Sequence, residues 1–204
     1  MNTSNAWERF NWVRSGESGS NREGHSETTF MEMTSEERNK VSIELINDLK
    51  HNIPFSLQGL TLLKGEDIFE TLQASNIDTS STQKVIILGE LFRTTKKPNY
   101  ANEILKYISQ QDKRLTSKIL SYLESSPKSI EQINKQDLKT ITTSTPFDDI
   151  KQRIATLIYQ SISSESWPYN PEALKLFNSI KNSPNSNSTL ELYETLEELA
   201  VSHK

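Results

Sequence analysis

Three histidines, His25, His51 and His203, are scattered along the chain, and no pair has the i, i+4 spacing by which a helix presents two ligands to a metal. With no cysteine, the chain can form no disulfide, no thiolate nucleophile and no Cys-based zinc site. No serine stands in a G-x-S-x-G elbow. Beyond residue 33 the glycines are Gly59, Gly65 and Gly89, too dispersed for a loop that brings backbone N–H groups around a phosphate. Glu66-Asp67 and Asp148-Asp149 are adjacent carboxylates, but both fall in the first turn of an expected helix, where negative charge suits the dipole. No catalytic set, no cofactor and no metal site is expected. The residues speak against an enzyme.

Two other groups could do binding chemistry. From Thr82 to Lys139 the chain carries eleven Lys+Arg against six Asp+Glu, within a protein of formal net charge −4. Arg93, Lys96, Lys97, Lys106, Lys113, Arg114 and Lys118 could contact phosphates, with Tyr100, Tyr107 and Tyr122 available to stack on unpaired bases. The same side chains also suit the solvated faces of amphipathic helices. Arg93, Lys96 and Lys97 further suit a helix C-terminus, whereas Lys113 and Arg114 open a helix where positive charge is unfavourable. The second group is aromatic. Trp7, Phe10, Trp12 and Val13 crowd into residues 6–14 of an otherwise polar N-terminus. They either dock on the chain itself or enter the groove of a partner protein, where tryptophan is a frequent anchor.

The elements that must position these groups are helical. The 204 residues suffice for one ordinary domain or two small ones, and 33% are hydrophobic, which is low for a globular chain. No apolar run nears the roughly 20 residues of a membrane span, and no signal-like stretch opens the chain, so a cytoplasmic or nuclear protein without membrane contact is expected. Residues 1–33 read as a disordered arm, since Ser15–Thr29 lacks any apolar residue. Thr34 with Glu37 predicts a capping box for a helix that ends at Pro54, and a second helix fits Glu66–Ser75 with Ile68, Phe69 and Leu72 inward. Ser80 with Gln83 opens a third, through Val85–Phe92, whose apolar run would otherwise suit a buried strand. Pro98, Asp112 and Asn170-Pro171 mark further helix starts, and Pro146 reopens a long helix with a stripe of Ile150, Ile154, Leu157 and Ile158. Leu138 and Ile141 suggest one more turn, Trp167-Pro168-Tyr169 reads as a corner, and Ile130 and Ile133 belong to a short element. Residues 183–188 read as a linker to a final helix, 189–202, whose Leu192, Leu196, Leu199 and Ala200 complete the fold or pair with another copy. The expectation is all-α: a single compact bundle of about eight or nine short helices over residues 34–204.

The stretch Ile119-Leu-Ser-Tyr-Leu-Glu-Ser-Ser-Pro-Lys-Ser-Ile-Glu-Gln-Ile133 resembles the helical core of the pneumovirus transcription-processivity factor, and the helix order from Ile68 to Ile158 is compatible with it. That resemblance implies a core that binds RNA and the viral phosphoprotein on overlapping basic surfaces. The family opens with a Cys/His zinc finger, which this chain lacks. Two functions are therefore expected in competition. The first is a non-enzymatic adaptor or scaffold that engages a protein through residues 6–14, with self-association through 189–202. The second is an RNA-binding or nucleoprotein-associated cofactor, such as a viral transcription or replication factor, using the basic residues of 82–139.

Overall fold

The structure is a computed structural model that describes residues 5–15, 24–53, 55–108, 112–128, 135–164, 170–183 and 186–203. All its regular elements are helices, and the described residues contain no strand. The chain divides into two compact units, residues 1–91 and 92–204, rather than the one bundle expected. The boundary falls inside a helix, so no Pro/Gly-rich linker marks it. The reading of Trp167-Pro168-Tyr169 as a corner, and the short element at Ile130 and Ile133, lie outside the described residues.

The N-terminal unit holds α1 (Asn5–Ser15), α2 (Glu27–Met31), α3 (Ser35–Lys50), α4 (Ser56–Lys64), a 3-10 turn (Gly65–Asp67), α5 (Ile68–Ala74) and most of α6 (Ser81–Thr95). Thr34 and Glu37 form the expected capping box: the Glu37 N–H donates to Thr34 Oγ1 at 3.2 Å and the Thr34 N–H to Glu37 Oε2 at 2.8 Å. Ser80 and Gln83 do the same for α6. The run Val85–Phe92 is helix, not strand, and it is buried on nearly all sides. Two expectations fail here. Residues 5–15 and 24–33 are not a disordered arm, because Phe10, Phe30 and Met33 find buried places in the unit. Phe69 points outward, since Ile68 and Leu72 already fill the inner face of so short a helix.

The second unit contains α7 (Pro98–Leu105), α8 (Lys113–Glu124), α9 (Lys135–Ser144), α10 (Asp148–Ile162), α11 (Pro171–Lys181) and α12 (Ser186–Ser202). α10 is central and packs against α8, α9, α11 and α12. Its stripe of Ile150, Ile154, Leu157 and Ile158 is wholly buried, as the spacing predicts. Asp112 and Asn170 cap α8 and α11 as expected. Of the expected linker, Ser183 is buried and residues 186–188 already belong to α12. The Ser183 Oγ accepts from Thr189 Oγ1 at 2.7 Å, and the Ser183 carbonyl accepts from Lys151 Nζ at 3.3 Å. The expected stripe of α12 is divided: Leu196 and Ala200 are buried, while Leu192 and Leu199 are half-buried. Tyr193, Leu196 and Ala200 are buried against α9, α10 and α11, and Tyr193 Oη lies 2.8 Å from Thr142 Oγ1.

Candidate functional site

The aromatic residues of α1 divide between two faces. Phe10 is fully buried, with its ring stacked on His25 at 5.3 Å between centroids and tilted against Phe30 at 6.5 Å. His25 also meets Phe30 at 5.5 Å, so three rings from α1, the segment before α2 and α2 itself form one cluster. Beneath them Gly59 of α4 is required by space. A Cβ there would come within 2.6 Å of His25 Cδ2. Burial pushes the His25 imidazole down to about 4, with Asp48 pulling weakly the other way, and its Nδ1 has no hydrogen-bond partner.

Arg14, one turn beyond Phe10, anchors the end of α1. Its Nε and Nη2 donate to the two oxygens of Asp48 at 2.6 and 2.8 Å, and Nη1 donates to Glu44 Oε2 at 2.7 Å. The hydrogen bond to Asp48 raises the guanidinium above its ordinary value, against the effect of burial. This planar two-pronged match needs arginine; a lysine would offer one point charge. Nearer the start, Arg9 pairs with Glu32, and Lys40 Nζ lies 4.3 Å over the Trp7 ring.

The opposite face of α1 looks outward. Trp12 is 41% exposed and borders a shallow hollow lined by Asn5, Glu8, Arg9 and Glu32. Trp7 and Val13 are half-buried. Of the four residues expected to serve a partner, Phe10 is therefore reassigned to the chain's own core. Its hydrophobic surface is satisfied by His25 and Phe30, which no local motif announces.

The seven basic residues expected to meet phosphate all belong to the second unit, and several are engaged within it. Lys113 Nζ sits 2.9 Å from Asp149 Oδ1 and 5.5 Å over the Phe147 ring, which ties the start of α8 to that of α10. That hydrogen bond holds the Asp149 carboxyl below its usual range, against the opposite effect of burial. The unfavourable placement of Lys113 at a helix start is thus explained by a contact between helices. Lys106 pairs with Glu103. Lys96 and Lys97 are exposed beyond the end of α6, and Arg114 and Lys118 are exposed one turn apart on α8, a spacing that puts them on one face. Arg93 and Tyr100, Tyr107 and Tyr122 are half-buried. A cation that composition alone did not single out, Arg153, donates to both oxygens of Glu124 at 2.8 and 2.7 Å and to Ser117 and Ser121.

Among the described residues no group of three or more His, Asp or Glu is placed to hold a metal ion, and no helix is long and apolar enough to cross a membrane. The chain matches no protein-family model, no curated protein and no solved structure.

Proposed function

We propose that this protein is a non-enzymatic interaction module that offers the outer face of α1, centred on Trp12, to a partner protein. One observation carries the reading. Trp12 stays 41% exposed on a helix whose other face is anchored, and charged and polar side chains ring it. An aromatic centre with a polar rim is the usual anatomy of a binding hot spot. Anchoring through Phe10 and Arg14 keeps that face in one orientation, which lowers the ordering cost of binding. The test is affinity capture with in-cell cross-linking, comparing wild type with Trp12→Ala. A specific protein captured by the wild type but not by Trp12→Ala, at unchanged melting temperature, supports the reading. An unchanged capture profile refutes it.

A second reading rests on the exposed Lys96, Lys97, Arg114 and Lys118. As an RNA-contacting set they would give binding that weakens steeply with salt. Lys96→Glu with Arg114→Glu should lower the log–log salt slope by about 0.7 for every phosphate of a single strand that is no longer neutralised. Absence of wild-type binding to single-stranded RNA at low salt removes this reading.

A further inference from the structure

The contacts of α1 have a property that its role as a docking face does not require. With eleven residues it is too short to persist as a helix alone, so its order depends on the body beneath it. Only Ala6 and Phe10 are fully buried. Beside the Phe30 ring, Phe10 covers a titratable one, His25, which is 4% exposed and has Nδ1 unpartnered. A second polar atom nearby is also unsatisfied: Gln58 Oε1, which lies where a side chain on Gly24 would sit. An unpartnered Nδ1 beneath the Phe10 ring makes the closed position of α1 less stable than an apolar interface of equal size, and opening would hydrate it.

We propose that α1 is an acid-released clasp, which leaves the N-terminal unit as one element while the helices beneath it stay folded. The closed cluster has no room for a charge. A protonated imidazole would be held between the Phe10 and Phe30 rings and against Gly59, with no acceptor on Nδ1. The charged groups in contact around the cluster are Arg14 with Asp48 and Glu44, Arg9 with Glu32, Lys40 over the Trp7 ring, and Glu90, which Gln58 Nε2 reaches at 3.3 Å. Only Asp48 favours the charged ring to a notable degree, and Arg14 already occupies both its oxygens. Acid therefore acts by making the closed form pay for a buried charge that the open form leaves in water. The sign follows from linkage. The closed ring takes its proton near 4 and the open ring near 6.5, so the open form binds more protons throughout that window. The open population rises as pH falls from 6.5 toward 4, by roughly thirtyfold at pH 5 relative to pH 7.5.

The clasp does not depend on the partner reading, because it is measured in the isolated protein. Amide hydrogen exchange, corrected for the intrinsic pH dependence, would compare α1 with α3 at pH 7.5 and pH 5. The expected result is a fall of about thirtyfold in the protection of α1, with α3 retained. In His25→Phe that fall should vanish. Unchanged α1 protection in the wild type overturns the proposal, and so does a fall that persists in His25→Phe, which would place the cause in Glu44 and Asp48. Should His25→Phe not fold, an NMR titration of His25 in the wild type decides. A ring titrating near 6.5 in the protein with α1 docked overturns the clasp, and one titrating well below that value sustains it.

Discussion

Phe10 and Trp12 are two residues apart on one helix and should behave oppositely. Phe10→Ala removes a fully buried ring and its stack on His25, at an expected cost of about 3–5 kcal/mol. Trp12→Ala removes a ring that is 41% exposed and should change stability by no more than about 1 kcal/mol. Urea denaturation of the two variants separates them, and comparable losses would mean that Trp12 is part of the core. Tyr193 gives a finer probe in the second unit. Its hydroxyl lies 2.8 Å from Thr142 Oγ1, which also donates to the Leu138 carbonyl at 3.1 Å. In Tyr193→Phe the threonine keeps that second partner, so the loss should stay near 1 kcal/mol instead of reaching the cost of a buried orphan.

Among elements, the helix ends offer the cleanest tests. Thr34→Ala and Asp112→Ala each strip a side-chain acceptor from a helix start and should cost about 1 kcal/mol. Lys96 at the end of α6 has φ +58°, a left-handed conformation that glycine adopts freely. Lys96→Gly should therefore raise the melting temperature, with a gain of about 1 kcal/mol, and a decrease in stability would show that the lysine side chain itself supports the fold. The caps were legible because their signals are local: Thr34 with Glu37, Ser80 with Gln83, Asn170 before Pro171. α4 was not. Its sequence, SLQGLTLLK, reads as interrupted by Gly59, and its N-cap, Phe55 at φ +63°, makes no side-chain hydrogen bond. The glycine is there because His25 is pressed against it, and His25 is far away in sequence. The same distance hid the candidate site. Composition shows that Trp7, Phe10 and Trp12 need cover, but the rings and carboxylates that receive α1 are His25, Phe30, Glu44 and Asp48, up to 38 residues removed from Phe10.

At the scale of the whole molecule, acid and alkali should both destabilise the fold. In the N-terminal unit, His25 is held neutral, so stability is complete above about 6.5 and declines as pH falls toward 4, by about 3 kcal/mol in all. Asp149, held low in the second unit, acts with the same sign at more acid pH. Burial pushes the Tyr193 phenol up, so its contribution is complete below its ordinary value of 10.0 and is lost as pH rises beyond it. Urea midpoints measured against pH should trace a plateau between about 6.5 and 10, and a maximum below pH 5 would contradict this assignment. The closure of the second unit by α12 also has a temporal side. Until Tyr193, Leu196 and Ala200 have been made, the faces of α9, α10 and α11 that receive them have nothing to pack against. At translation rates of about 5–20 residues per second, the 38 residues from Ile162 at the end of α10 to Ala200 take roughly 2–8 seconds. During synthesis the half that carries α1 is ready first. The other half spends that interval unfinished, with the apolar faces that α12 will cover still open to water.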